Sequence, residues 1–297
     1  NGRTNILAIG TSGYNMEGDE GNGIHDGAQL TDSIMVISLN QDTGDVAMLS
    51  LPRDLKASPT CTATGKINEV YWCNNMEGDN EQAGAEALME ELDAKLGRLQ
   101  RICKEKKIPV AIVFEGLGAA GKGTMINRLI EPLDPRGFKV YTTQQETPEE
   151  KYYPFLWRFW NTLPGKGRIS ILDRSWYRIL LNDRFDGKTG KKSLATAFDE
   201  INSFEEVLTD DNMILIKFFL VISQKEQKKR FKKLEDSKET AWRVTADDWK
   251  RNEQYDEYFQ LAEEALEKTD RDNAPWTIIE AEDKEYASAK IASTVVK

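Results

Sequence analysis

The sequence predicts an α/β fold: a parallel sheet with helices on both faces, preceded by a partial α/β segment. Three observations carry this. An unbroken apolar run occurs at residues 110–114, and largely apolar runs, interrupted by Ser170 and Lys217, at 169–172 and 213–222; such runs suit strands buried on both faces. Stretches with helical spacing separate them, the alternation that makes neighbouring strands parallel. A glycine-rich turn, Gly116-Leu-Gly-Ala-Ala-Gly-Lys122, joins the first run to the first helical stretch. That is the strand–turn–helix setting of a phosphate-binding loop.

Each element follows from local composition. Asn5-Ile-Leu-Ala-Ile9 is a short apolar run before Gly10. Ser33-Ile-Met-Val-Ile-Ser-Leu39 and Val46-Ala-Met-Leu-Ser-Leu51 flank the turn Gln41-Asp-Thr-Gly44 and predict a β-hairpin. Ala, Leu, Glu and Lys at helical spacing predict a helix over 83–106, closed by Pro109. Beyond it come a strand at 110–114, a helix at 121–130, and strands at 138–142, 169–172, 213–222 and 277–279.

The 297 residues allow one large domain or two smaller ones, and 39% hydrophobic with 30% charged residues suits a globular chain with a real core. No apolar run approaches the roughly 18 residues of a bilayer span. The first residue is Asn1 and no leader pattern follows, so a fragment or processed product is expected. Cys61, Cys73 and Cys103 lack metal or redox spacing, and an odd count fits a reducing compartment. The single histidine, His25, excludes His-rich metal sites and leaves only itself as a phosphohistidine candidate. The net charge is −10, but 4 of the 40 basic and 15 of the 50 acidic residues fall in 1–92. The acidity belongs to that segment, and the rest of the chain presents no repulsive global field to a polyanion. The shift in composition predicts two domains, 1–91 and 92–297.

The loop chemistry is specific. Gly116, Gly118, Ala119, Ala120, Gly121 and Gly123 are small enough for backbone N–H groups to approach a phosphate. The following helix N-terminus favours negative charge, and Lys122 supplies a mobile cation. Gly123 stands where such loops carry a metal-holding Ser or Thr, and Thr124 comes one later. Ile169-Ser-Ile-Leu-Asp173-Arg174 is an apolar strand ending in Asp, the arrangement that brings a carboxylate to Mg²⁺ and phosphates. Arg174 beside it suits a bidentate phosphate clamp. Between residues 224 and 251 a basic stretch reads equally as a solvated charged helix or as a lid over phosphates. The aromatic cluster Tyr152, Tyr153, Phe155, Trp157, Phe159 and Trp160 reads as core rather than a base-stacking platform.

Taken together, Phe114-Glu-Gly-Leu-Gly-Ala-Ala-Gly-Lys-Gly-Thr124, Asn127-Arg-Leu-Ile-Glu-Pro-Leu-Asp-Pro-Arg-Gly-Phe-Lys-Val140, Asp173-Arg-Ser-Trp-Tyr177, Ile214-Leu-Ile-Lys-Phe-Phe-Leu220 and Trp242-Arg-Val-Thr-Ala-Asp-Asp-Trp249 resemble the polyphosphate kinase 2 family, above all its polyphosphate:AMP phosphotransferases. The resemblance covers nearly all of 93–297. It implies a thymidylate-kinase-like P-loop fold, Mg²⁺ as cofactor, and phosphoryl transfer between polyphosphate and AMP or ADP without a covalent enzyme intermediate. By motif position, Lys122, Asp173 and Arg174 would be catalytic, with Asp173 on the metal. Arg128 and Arg136 would add to the phosphate site, and Lys229, Arg230, Lys233 and Arg243 are lid candidates. The family carries Asp where this chain has Gly118. Its AMP enzymes hold two tandem copies, so weak turnover from a divergent copy is expected, with a binding-only copy as the alternative.

Asn5-Ile-Leu-Ala-Ile-Gly10, Thr31-Asp-Ser-Ile-Met35, Leu51-Pro-Arg-Asp54 and Lys66-Ile-Asn68 resemble the start of a LytR-CpsA-Psr domain. That family attaches glycopolymers to cell walls. Asp32 and Arg53 would then belong to a pyrophosphate and metal site, and a glycopolymer ligase fragment is the second alternative. The two resemblances imply opposite sides of a membrane, so a joining of two gene fragments, or an engineered or mis-assembled reading frame, is expected, with cytoplasmic location following the larger part. Expected partners are polyphosphate and the nucleotide, with no nucleic acid and no membrane. A homo-oligomer or a missing tandem domain completes the expectation.

Overall fold

The computed structural model describes residues 3–12, 30–40, 46–51 and 81–297, with side chains from residue 89 onward. It divides into two compact units: Asn1–Gly97 with Ser288–Lys297, and Arg98–Ala287.

In the first unit, β1 (Arg3–Ser12), β2 (Leu30–Asn40) and β3 (Val46–Leu51) form an antiparallel sheet in the order β1-β2-β3. The predicted hairpin is β2–β3, with Ile34 opposite Leu51 and Leu39 opposite Val46. The β1–β2 register shifts between Gly10 and Thr11, whose partners are Ser33 and Thr31, so Asp32 is the skipped residue. Arg53 and His25 lie outside the described residues.

Helix α1 (Glu81–Lys106) runs without a break through residues 91 and 92, where the composition shift fell. It ends as its sequence dictates. Lys107 takes a left-handed φ of 57°. Ile108 N donates to Cys103 O at 2.9 Å and Lys107 N to Lys104 O at 3.3 Å. This pairing satisfies the last carbonyls, and Pro109 forbids a further turn.

The second unit is built on β4 (Val110–Gly116), β5 (Phe138–Thr142), β6 (Ile169–Asp173), β7 (Ile214–Val221) and β8 (Trp276–Glu280). All pairings are parallel, in the order β5-β6-β4-β7-β8. Between the strands lie α2 (Lys122–Ile130), α3 (Trp157–Trp160), α4 (Asn182–Phe185), α5 (Lys191–Asp210), α6 (Gln224–Glu235), α7 (Ala246–Glu253) and α8 (Tyr255–Thr269); α9 (Lys284–Val296) follows β8. Residues 110–115 of β4 are all buried. Side chains alternate across a strand, so burial of both sets means that both faces of the sheet are covered. The α/β expectation holds. The flanking strands β5 and β8 are the least covered: Val140 and Ile278 are exposed.

Chain order around β4 reverses, because the chain leaves β4 toward β6 and β5 and returns to β7 and β8. The crevice at the carboxyl ends of strands beside such a switch point is where open α/β sheets bind ligands. In the parallel register, Phe114 stands beside Asp173 on one side and Phe218 on the other. The turn after β4 and the carboxylate ending β6 therefore open into the same crevice.

Behind the crevice, a polar network is sealed inside the core. Lys217 of β7 is fully buried, and its Nζ lies 2.7 Å from Glu205 Oε2. It also donates to Tyr177 Oη at 3.0 Å and Thr269 O at 2.9 Å. Glu205 Oε1 accepts from Trp176 Nε1 at 2.9 Å and Tyr177 Oη at 2.6 Å. Burial pushes the Lys217 amine below its ordinary value, and Glu205 opposes that. Removing one partner of such a pair strands a charge in a dry site. Glu205→Ala is expected to destabilise the second unit by about 3–5 kcal/mol, read from urea unfolding followed by tryptophan fluorescence. A loss below about 1 kcal/mol would show that the network is dispensable.

Candidate active site

The site begins where β4 stops. Gly116 has φ of 131°, and a Cβ there would stand 2.2 Å from the carbonyl oxygen of Leu220. Leu117 N donates to that same oxygen at 3.0 Å. The chain thus turns out of the sheet in backbone contact with β7, which only glycine allows. Ala119 and Gly121 also have positive φ, 54° and 101°. They curl the loop so that successive peptide groups form a concave cradle ahead of α2.

Lys122 opens α2 and is only 8% exposed. Its Nζ donates to Gly116 O at 2.9 Å and Leu117 O at 3.0 Å. Burial, and then repulsion by Arg174, lowers its pKa from 10.5 to about 8, while Asp173, Glu115 and Asp248 pull upward. The amine therefore shares one electrostatic environment with the β6 carboxylate. Asp173 Oδ1 is buried and has no hydrogen-bond partner. A buried anionic oxygen without a donor is costly, and a cation would satisfy it.

Arg174 adopts φ of 62°. Its N donates to Phe114 O at 3.0 Å, and its carbonyl accepts from Thr143 Oγ1 at 2.7 Å. These bonds tie the turn after β6 to β4 and to the end of β5. Glu115, the last fully buried residue of β4, accepts from Ser175 N at 2.7 Å and from Ser175 Oγ at 2.9 Å. Burial raises its pKa, and Lys122 heads the opposing effects. Glu115 and Ser175 fix the turn that carries Asp173 and Arg174. The sequence held one signal for this: a carboxylate at the end of an otherwise apolar run.

The other expected residues stand at differing distances from the loop. Gly123 and Thr124 are exposed in the first turn of α2. Arg128 sits six residues beyond Lys122, about 9 Å along the helix, and pairs with Glu131 at 2.7 Å. Arg136 lies in the turn before β5, at the amino end of the sheet, and is bound to Asp134 at 2.8 Å. Strand β5 runs its full length between Arg136 and the crevice, so Arg136 is not brought to the loop. Lys229 is exposed and pairs with Glu226 at 3.2 Å. Lys233 is exposed, and Arg243 is exposed with its guanidinium over the Trp242 ring. Arg230 instead points inward onto the loop's backbone, at 3.2 Å from Ala119 O.

The aromatic cluster is not core as a group. Phe159 is buried, but Tyr152, Tyr153 and Trp160 are exposed. Tyr153 stacks on Trp157 with centroids 4.1 Å apart. Aromatic content alone does not say which faces are covered. Phe155, Phe159 and Trp176 instead help line a cavity of about 430 Å³. Lys151, Arg158 and Arg178 line it too. Arg178 is held by Asp183 at 3.1 Å and Arg158 by Glu150 at 3.3 Å. The cavity adjoins the turn that carries Arg174.

Comparison with known proteins decides the family. Residues 79–297 match the model of Polyphosphate kinase 2. The chain belongs to the polyphosphate kinase 2 family. Residues 1–98 match the model of the LytR_cpsA_psr family. A polyphosphate:AMP phosphotransferase of Pseudomonas aeruginosa is 36% identical over 213 residues, 71% of this chain and 43% of that protein. An NDP-polyphosphate phosphotransferase of Ruegeria pomeroyi is 32% identical over 71% of this chain and 70% of its own length. The crystal structure of polyphosphate kinase 2 from Arthrobacter aurescens TC1 superposes with a TM-score of 0.68 at 29% identity, covering 72% of this chain and 78% of that one. The chain spans less than half the length of the AMP phosphotransferases it matches.

The loop geometry makes two expectations. Gly116→Ala drives a methyl group into Leu220 backbone and is expected to lose several kcal/mol of stability. Gly123→Ala meets nothing within 4 Å and should gain about 0.5–1 kcal/mol from helix propensity; thermal denaturation of the pair checks both.

The lowered Lys122 pKa makes another. Between about 8 and 10.5 the unfolded chain binds the proton that folded Lys122 has lost. Stability from this group therefore rises with pH across that window. Buried Lys217 adds a rise of the same sign, so Lys122→Met should lessen the rise, and a variant whose stability climbs as steeply as wild type across the window would contradict the assignment.

Proposed function

We propose that the second unit transfers a phosphoryl group from polyphosphate to a nucleoside monophosphate, AMP foremost. One observation carries this reading. A buried ammonium at the head of a glycine cradle and a buried, unpartnered carboxylate oxygen occupy the same crevice. The cradle N–H groups and Lys122 would hold the transferring phosphate. Arg174 would bind its oxygens. The reaction breaks one phosphoanhydride bond of polyphosphate and forms another at an oxygen of the acceptor's phosphate, so no covalent enzyme intermediate is needed. Positioning and charge neutralisation supply the catalysis.

The orphaned Asp173 Oδ1 fits a divalent cation, with Mg²⁺ as our choice. Among the described residues no group of three or more His, Cys, Asp or Glu gathers to hold a metal. Asp173 would therefore share the ion with substrate oxygens and water, the usual habit of Mg²⁺. Bound there, the ion would neutralise charge on the transferring group. The acceptor would sit in the cavity beside Trp176, with aromatic walls for the base and Arg158, Arg178 and Lys151 for its phosphate. The relatives' names support both substrates.

A second reading is favoured by Gly118. A Cβ added there would touch Gln227 and Asp248 at 3.5 Å and press slightly on Phe231 at 3.3 Å. The loop lacks the carboxylate that the family carries at this place, which supports a copy that binds polyphosphate with little turnover. We take residues 1–91 as a separate LytR-CpsA-Psr-like module and 92–297 as the kinase module, working in the cytoplasm where nucleotides are. Among the described residues no helix is long and apolar enough to cross a membrane.

Incubation with polyphosphate, Mg²⁺ and AMP should yield ADP. Asp173→Asn should lower the rate by about 10²-fold or more. Binding of polyphosphate without ADP would leave the second reading, and neither binding nor turnover would overturn both.

A further inference from the structure

The loop's carbonyls are held from behind. Gly116 O and Leu117 O accept from Lys122 Nζ. Gly118 O accepts from Gln227 Nε2 at 3.0 Å. Ala119 O and Ala120 O accept from Arg230 Nη1 at 3.2 and 3.3 Å. Five successive carbonyls are thus bound by side-chain donors. In a trans peptide the next N–H points opposite to the carbonyl. Holding Gly118 O and Ala120 O toward α6 therefore turns the N–H groups of Ala119 and Gly121 away from α6.

Arg230 has no donor left. Its Nη2 donates to Ala281 O and Glu282 O, each at 2.9 Å. Its Nε donates to Glu226 Oε1 at 2.9 Å. A guanidinium carries five N–H groups, and with the two bonds from Nη1 all five are engaged. Gln227 lies three residues away on the same helix face. Its Oε1 accepts from Asn252 Nδ2 of α7 at 2.9 Å, and Asn252 Nδ2 also reaches Gln224 O at 3.1 Å. That partner fixes which end of the Gln227 amide faces Gly118. Phe231 approaches to 3.3 Å of an added Cβ at Gly118, so the helix packs closely over the loop at this glycine.

We propose that Gln227 and Arg230 are positioning residues that preset the phosphate loop from helix α6, with Asn252 orienting Gln227. The basic stretch after β7 is then divided by direction. Lys229 and Lys233 face solvent, whereas Arg230 serves the loop's backbone and touches no phosphate. The functional meaning rests on the reading that this loop holds phosphate, but the mechanical claim does not.

The first arm of the test uses the whole chain and three variants: Arg230→Lys, Gln227→Leu and Asn252→Ala. Arg230→Lys keeps the charge but loses the fork. In the free protein, exchange of loop amides 117–124 should speed up about tenfold or more in all three, with circular dichroism unchanged. Unchanged exchange in folded Arg230→Lys and Gln227→Leu would overturn the clamp. A second arm measures polyphosphate affinity against salt. A cation that contacts phosphate contributes to the salt slope. Arg230→Ala should weaken binding while leaving the slope as in wild type, whereas Lys122→Met should reduce it. A slope reduced equally by Arg230→Ala would mean a phosphate contact and overturn the proposal. Should the wild-type chain bind no polyphosphate, the phosphate reading fails, and the exchange arm still decides the clamp.

Discussion

The parallel pairing of β4 with β6 is the constraint on which the second unit depends. Its register sets Phe114 beside Asp173, so a loop two residues later on one strand and a carboxylate ending the other reach the same depth. A shift by one residue would turn Asp173 to the opposite face of the sheet. The register is protected by burial: Val110, Ile112, Ile171 and Leu172 are almost wholly enclosed. A strand enclosed on both sides cannot slide without exposing apolar surface. The glycine at the strand end has a related role, since it lets the loop leave while still touching β7.

Charge in this crevice is managed by opposing pulls. Glu115 and Lys122 are both nearly inaccessible to solvent, and water therefore does little to stabilise either. Each lessens the other's penalty, and Ser175 gives the carboxylate two donors. Such networks are tolerable only when their members are satisfied. Asp173 Oδ1 stands out because it is not. Deeper in the unit, the Lys217–Glu205 pair is fully satisfied and binds Trp176 and Tyr177, which follow the Asp173–Arg174 turn. The turn is thereby anchored at its base by the core and at its tip by Glu115.

Much of this was legible in the sequence. Apolar runs without alternation gave the buried strands, and the glycine spacing before Lys122 gave the loop. Asp173 could be read only together with the loop, because many strands end in Asp at a turn. What escaped was direction. Arg136 and Arg174 look alike as arginines near turns, but Arg136 lies at the amino end of β5 and Arg174 at the carboxyl end of β6. Arg230 and Lys229 are adjacent, and only the packed helix shows that one faces the loop while the other faces water. Gln227 and Asn252 gave no sign at all, because an amide's partner is a matter of tertiary placement. The aromatic residues 152–160 misled for the same reason.

The two rims of the parallel sheet bear on solubility. β5 and β8 are five residues each, and their outer hydrogen-bonding groups are potential templates for another strand. Among the described residues no strand pairs with the outer edge of either, and Val140 and Ile278 lie open there. Brevity limits how long a ladder could grow, and Lys139, exposed at the second position of β5, sets a charge beside any incoming chain. Rims that resist lateral stacking would keep crowded copies of the chain from precipitating.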